Sequence, residues 1–353
     1  MRAAVYHGQR DVRIEDVPEP VLGPGQIKLR VGYNGICGTD VHEYFTGPHL
    51  IPSRTPHPRT GARLPIVIGH EFAGEIVDVA DDVEGFGVGD KIAAEPIHNC
   101  GECRFCRRGT YNLCTGIAFQ GADAADGGLA EFAVLDAGKA HRLPSDLGLD
   151  AGALVEPLSV SYHAVGRADP SDDSVVAVYG GGPIGVGTFL ALKARGVGRV
   201  VMVEPSPERA GVLAQLGAET VLDPARDDVP TRLAELTGGY GPDVSIDCAG
   251  VQASFESAVN TTAKQGRIVL VATYPAPVTF HPNALVLAER SVVASCAYRG
   301  DDFDAVIREL AAGHYPTDLW VQRIPIDQLI EDGFEALHEQ RAMKVLVEVG
   351  ARR

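Results

Sequence analysis

The sequence predicts an α/β chain of two domains, one of them built on a doubly wound parallel sheet. Length is the first observation: 353 residues exceed what one ordinary core organises. The second is a glycine-rich turn between an apolar run, Val175 to Tyr179, and a helix-like stretch, in VVAVYGGGPIGVGTFLALKARG. The third is an alternation of strand-like and helical patterns beyond it, through VVMVE, ETVLD, DVSIDCAG, GRIVLVAT and RSVVASC, enough for six strands.

Composition limits the partners. Hydrophobic residues make up 45% and charged residues 22%, as in a globular domain. With 47 acidic against 31 basic residues the net charge is −16, and such a field repels nucleic-acid phosphates and anionic membranes. Neither is expected as a partner. The opening stretch MRAAVYHGQRDVRIEDV alternates like a strand and lacks the apolar segment of a signal peptide, and no apolar run is long enough to span a bilayer. A cytoplasmic location is therefore expected. In a reducing compartment clustered cysteines are more often metal ligands than disulfides.

Taken in order, the run IKLRVGYNGI reads as a strand that delivers Cys37, Thr39, Asp40 and His42 in CGTDVHEY, and LPIVIG delivers His70 and Glu71. Between them lies the proline-rich insertion GPHLIPSRTPHPRTGARLP, residues 47–65. A loop this long inside a compact domain is more often functional than not, and a proline-stiffened rim would set the size and chirality of a pocket. Further on, ALVEPLSV carries Glu156 before Pro157, which biases Glu156 toward an extended backbone and makes Pro157 the expected first helical residue. Each ligand alone is a weak signal, since a lone Cys is usually a small core residue and a His beside glycine an ordinary turn residue. Together, thiolate, neutral imidazole and carboxylate from Cys37, His70 and Glu156 carry −2, balance Zn²⁺ and leave its fourth position open. Glu71 reads either as an intermittent ligand or as a neighbour of the ligands. For Thr39 and His42 the bland alternative is a helix cap and an exposed surface histidine.

The stretch CGECRFCRRGTYNLC concentrates Cys100, Cys103, Cys106 and Cys114 at x2, x2 and x7 spacing, with Gly101 and Gly109 freeing the backbone for a tight knuckle. Four thiolates make a closed tetrahedral zinc site, which is structural. Arg104, Arg107 and Arg108 would offset its charge. An iron–sulfur cluster or four unligated thiols are the alternatives, and a nucleic-acid zinc finger conflicts with the acidic balance.

In the second half, Gly180, Gly182, Pro183, Ile184 and Gly185 form a turn in which close backbone approach and a helix N-terminus suit a pyrophosphate. Glu204, about twenty residues on, would accept hydrogen bonds from the adenosine ribose and repel a 2′-phosphate, which favours NAD over NADP. Arg209 would meet a phosphate or stack near the adenosine. Cys248 reads as a strand-end core thiol, and Cys296 as core or pocket lining.

These motifs, in this order along essentially the whole chain, resemble the zinc-containing medium-chain dehydrogenase/reductase superfamily, and Glu156 in VEPLSV, where liver-type members have a cysteine, points to its polyol branch. The resemblance implies a mostly-β GroES-like catalytic domain from residues 1–155 and 296–353 around a Rossmann domain of residues 156–295. It also implies NAD-linked oxidation of a secondary alcohol, a vicinal diol above all, with sugar-alcohol and L-threonine dehydrogenases as rivals of the same branch. By the same resemblance Cys37, His70 and Glu156 hold the catalytic zinc with Glu71 close by, and Thr39 and His42 relay the proton. Val271, Ala272 and Thr273, together with Ala297 and Tyr298, would lie against the nicotinamide half, and Lys344 near the pyrophosphate. Members are homodimers or homotetramers.

Overall fold

The computed structural model describes residues 1–350, and the chain divides into two units. Met1–Glu156, Arg299–Ala312 and the chain from Trp320 make the first; Pro157–Tyr298 and Gly313–Leu319 make the second. Among the described residues no helix is long and apolar enough to cross a membrane.

The N-terminal strands are β1 (Arg2–Gly8), β2 (Asp11–Asp16), β3 (Gln26–Gly35), β4 (Ile66–Val67), β5 (Glu71–Val79), β6 (Lys91–Ala94), β7 (Ile97–His98), β8 (Ala118–Phe119), β9 (Phe132–Asp136) and β10 (Ala140–Arg142). Helix α1 (Gly38–Thr46) follows β3, and α2 (Leu149–Gly152) and α3 (Val155–Ala168) follow β10. Strand β3 shows why the sequence folds this way. Ile27, Leu29 and Val31 alternate with Lys28 and Arg30, and the apolar three are fully buried while the basic two lie toward solvent. Its pairing with β5 shifts register at Lys28/Leu29 and at Val31/Tyr33, and a Cβ on Gly74 of β5 would collide with the Arg30 carbonyl, so only glycine allows this approach. One cluster including Ile27, Leu29, Ile76, Ile92 and Phe334 forms the core of this unit.

The second unit is a six-stranded sheet of β11 (Val175–Tyr179), β12 (Arg199–Val203), β13 (Thr220–Leu222), β14 (Val244–Asp247), β15 (Arg267–Leu270) and β16 (Ser291–Ala294). All its pairings are parallel, in the order β13-β12-β11-β14-β15-β16. Every residue of β11 is buried, as a strand covered on both faces requires. The connections carry α4 (Pro183–Ala194), α5 (Pro207–Gln215), α6 (Val229–Leu236), α7 (Gln252–Thr261) and α8 (Asn283–Val286). Strand order reverses beside β11, and in such sheets the crevice at the carboxyl ends of the strands there receives the ligand.

After α9 (Gly300–Ala311) the chain returns to the first unit with β17 (Val321–Pro325) and β18 (Lys344–Glu348), completing a seven-stranded sheet ordered β10-β6-β5-β3-β18-β17, with β9 also on β3. One local expectation is corrected. Helix α3 begins at Val155, so Glu156 is not extended but sits in the first helical turn. Pro157 is tolerated there because its missing N–H would have had no intrahelical partner.

Candidate metal centres and dinucleotide cradle

Strand β3 ends at Gly35, and two residues on Cys37 caps α1; its backbone N–H donates to Asp40 Oδ2 at 2.9 Å. Strand β5 begins at Glu71, which pairs with Gly35, so His70 and Glu71 arrive beside Cys37. A Cβ on Gly35 would overlap the Glu71 carboxylate, which explains the glycine. Donor atoms of Cys37, His70 and Glu71 all lie within 4.8 Å of one another. His70 is buried, its Nδ1 is 3.5 Å from Asp40 Oδ1, and that atom has no hydrogen bond. Burial works against charge on His70, but the carboxylate of Asp40 and the thiol of Cys37 outweigh it and push the imidazole well above its ordinary range. A buried acid and imidazole crowded against a half-buried thiol in this way call for a cation, and sulfur, nitrogen and oxygen at this spacing fit zinc.

Glu156 is not in that three-donor group; it is buried in the first turn of α3. The Lys344 ammonium, expected near a pyrophosphate, is 2% exposed and bonded to the Glu71 carboxylate and, at 2.9 Å, to the Ile36 carbonyl. A carboxylate buried on β5 draws the cation that β18 can offer. Thr39 Oγ1 lies 3.7 Å from Cys37 Sγ, and because Cys37 takes the cap position, Thr39 is not the cap. His42 is three residues further on the same helix face, and exposed.

The four-cysteine segment forms the second group. Sγ···Sγ distances are 3.8 Å for Cys100–Cys106, 3.5 Å for Cys103–Cys106 and 3.5 Å for Cys100–Cys114. Zinc–sulfur bonds of about 2.3 Å in a tetrahedron set an edge of roughly 3.8 Å, so the knuckle is already at ligating size. Backbone N–H groups of Cys103, Cys100 and Gly116 point at sulfurs at 3.3 to 3.4 Å. Hydrogen bonds from the backbone of Cys106 and Thr115 lower Cys103 to about 5, whereas burial and the Cys103 thiol raise Cys106 to about 11. Crowded sulfurs cannot all ionise without a cation among them.

On the second unit, Gly182 caps α4 and Pro183 opens it. Gly180 has φ +96°, and Gly185 has no room for a Cβ against the Gly180 carbonyl. Glu204, directly after β12, is 3% exposed; its Oε2 accepts from Gly181 N–H at 2.5 Å and its Oε1 from Ser206 N–H at 2.8 Å. Each oxygen keeps a lone pair for a ribose hydroxyl. The Arg209 guanidinium comes within 3.9 Å of where a Cβ on Gly182 would stand, so it faces the glycine turn. Val271, Ala272 and Thr273 follow β15 at the carboxyl edge, Tyr298 is buried, and Ala297 has φ 48°. Cys248 follows β14, is half-buried rather than in the core, and its thiol is pushed up to about 12 by desolvation, which makes it unreactive.

Two roles were not legible in the sequence. Asp40 stood in view within CGTDVHEY, yet only folding sets it against His70. Glu95 is buried between Lys139 at 2.6 Å and His141 at 3.1 Å, and nothing in AAEPIH distinguishes it from a surface acid.

Two family models match the chain. The model of the alcohol dehydrogenase GroES-like domain matches residues 23–145, and that of the zinc-binding dehydrogenase matches residues 183–312. The chain belongs to the zinc-containing medium-chain dehydrogenase/reductase family and is an alcohol dehydrogenase of that family. It is 40% identical over 350 residues to the (R,R)-butanediol dehydrogenase of Bacillus subtilis strain 168, covering 98% of this chain and 99% of that protein. The enzyme of the same description from Neisseria gonorrhoeae is 34% identical, with 98% and 99% covered. The crystal structure of 2R,3R-butanediol dehydrogenase from Bacillus subtilis superposes with a TM-score of 0.93 at 39% identity, over 98% of this chain and 99% of that one.

Proposed function

We propose that this chain interconverts a vicinal diol of the 2,3-butanediol kind and its hydroxyketone with NAD, in the cytoplasm, using a catalytic zinc at Cys37 and His70 with Glu71 or Glu156 as the carboxylate and a structural zinc at Cys100, Cys103, Cys106 and Cys114. One observation carries the reading: a three-donor cluster with Thr39 Oγ1 at 3.7 Å from its sulfur, in a chain similar over its full length to butanediol dehydrogenases.

Zinc, when bound, supplies a Lewis acid that makes a substrate hydroxyl more acidic or a carbonyl more electrophilic. NAD, when bound, supplies the hydride acceptor. The chain's own residues do the rest. Thr39 accepts the substrate proton and donates its own, and exposed His42 on the same face of α1 takes it toward water through a ring nitrogen. The Asp40 carboxylate, 3.5 Å from His70 Nδ1, orients that ring by its charge. Lys344 offsets the Glu71 charge. Glu204 accepts from the ribose hydroxyls and rejects a 2′-phosphate. Support for a homo-oligomer comes from β16, which among the described residues pairs with β15 alone and whose edge, with Val292 37% exposed, would seat a second copy.

Initial rates with NAD and NADP against the isomers of 2,3-butanediol, acetoin, sorbitol, xylitol and threonine test this. The expected result is the highest kcat/KM for a butanediol isomer with NAD; a sugar alcohol or threonine in that place, or NADP preferred, overturns it.

A further inference from the structure

Asp247 is the last residue of β14 and is fully buried. Its carboxylate is held by neutral donors: Oδ1 accepts from the backbone N–H of Ala249 at 2.9 Å and of Gly250 at 3.1 Å, and Oδ2 from the hydroxyls of Ser254 at 3.0 Å and Tyr274 at 2.6 Å. Its backbone carbonyl accepts from Val271 N–H at 3.1 Å and Ala272 N–H at 3.2 Å. One residue therefore ties together the turn 248–250, the start of α7 and the stretch 271–274. A buried carboxylate is expensive unless hydrogen bonds replace its hydration, and an apolar residue would fill a strand end at less cost.

The turn it holds is tightly wedged. Gly250 has φ +69°, and a Cβ there would come within 2.8 Å of both the Ala272 Cβ and the Thr273 carbonyl oxygen. On its other side, a Cβ on Gly180 would stand 3.1 Å from Ala249 N. The turn thus spans from the glycine turn after β11 to the residues after β15.

Sheet order says what lies over it. Glu204 after β12 marks the adenosine end of a dinucleotide and the glycine turn after β11 marks its pyrophosphate. In the order β13-β12-β11-β14-β15-β16, the strands next to β11 on the side away from β12 are β14 and β15, so their carboxyl ends would receive the remaining half of the cofactor. Those ends are the turn 248–250 and the stretch 271–274.

We propose that Asp247 is a positioning residue for the nicotinamide half of the cofactor: its hydrogen-bonded carboxylate holds these two segments in register with each other, so the surface that meets the nicotinamide ribose and ring exists before the cofactor arrives. The proposal rests on the reading that the second unit binds NAD. A pre-formed surface needs no ordering on binding, so losing the hub shows as weaker cofactor affinity.

Asp247→Asn replaces an acceptor oxygen by an amide N–H₂ that faces donors, and Tyr274→Phe removes a single donor and leaves the other bonds. The measurement is the Kd of NADH and of ADP, by fluorescence and calorimetric titration of the zinc-loaded full chain, with melting temperatures alongside. ADP carries the adenosine and pyrophosphate but no nicotinamide half. The expected result is an NADH Kd raised about tenfold or more in Asp247→Asn and a few-fold in Tyr274→Phe, with ADP unchanged within about twofold. If Asp247→Asn fails to fold, the NADH and ADP affinities of Tyr274→Phe decide the matter. Equal weakening of both ligands, or an unchanged NADH Kd, overturns the proposal and leaves NAD binding intact. Wild-type protein that binds neither ligand overturns the NAD reading itself, and this proposal with it.

Discussion

Thr39 and Asp40 are neighbours on α1 with different tasks, and each gives its own signature. Thr39→Val removes the hydroxyl near the Cys37 sulfur, and kcat should fall by about 10²- to 10⁴-fold with zinc content unchanged, while Thr39→Ser keeps most of the rate. An unaltered rate in Thr39→Val would remove Thr39 from the relay. Asp40→Asn weakens the hold on His70, and competition with a chelator should show zinc affinity down by about 10- to 100-fold. His141 offers a pH test. Burial opposes its protonation, but hydrogen bonds to Glu95 and Asp304 outweigh this and raise it, so its contribution to stability is full below its unfolded value of about 6.5 and is lost as pH rises through the raised folded value. Glu95 is opposite in sign: burial raises it, but bonds to His141 and Lys139 prevail and lower it, so its contribution is present above its unfolded value and is lost as pH falls through the folded one. The melting-temperature gap between wild type and His141→Gln should shrink as pH rises above neutrality; a gap that widens contradicts the assignment. The cluster of Cys37, His70 and Glu71 could be found in the sequence because Cys, His and Glu beside glycines at strand ends are chemically conspicuous. The pairing of Lys344 with Glu71 could not, because the two are 273 positions apart and only the placing of β18 and β5 on either side of β3 joins them.

Among the elements, the four-cysteine lobe and the insertion of residues 47–65 are joined. Arg59 donates to the carbonyl oxygens of Gly116 at 3.2 Å and Asn99 at 3.0 Å, and Thr60 Oγ1 donates to the Asp123 carbonyl at 2.7 Å. The lobe is thus a base on which the insertion rests. Arg59→Ala should raise KM for the diol several-fold with little change in kcat or zinc content, and an unchanged KM across the substrate panel would show the insertion to be indifferent to substrate. Cys100→Ser should lose the lobe's zinc and speed proteolysis of the segment around it. Strands such as β3 and β11 were legible because burial on one face or on both writes a period of two or an unbroken apolar run. The start of α3 was not. The preference of a residue before proline for extended backbone lost to a helix whose first turn needs no N–H from Pro157.

At the scale of the molecule, the sequence carried the inserted nucleotide-binding sheet clearly, because the glycine turn, the acid after the next strand and the repeating strands are mutually consistent signals. The proposed assembly has its test at β16, a short edge strand, Ser291–Ala294, in which Val292 is 37% exposed. Val292→Lys places a charge on that edge, and light scattering after gel filtration should show the oligomer broken into smaller species. An unchanged mass would move the interface elsewhere. The net charge of −16 also implies that solubility survives such a change.

The central claim is that one cation, held by an open set of ligands at Cys37, His70 and a carboxylate, makes the alcohol reactive, while the cysteine lobe only holds the fold. The direct measurement is zinc per chain, melting temperature and turnover in Cys37→Ser beside wild type. Wild type should hold about two zinc ions per chain, and the variant about one, with a near-native melting temperature and its activity gone. A Cys37→Ser protein that keeps wild-type turnover, or that keeps both metals, contradicts the account.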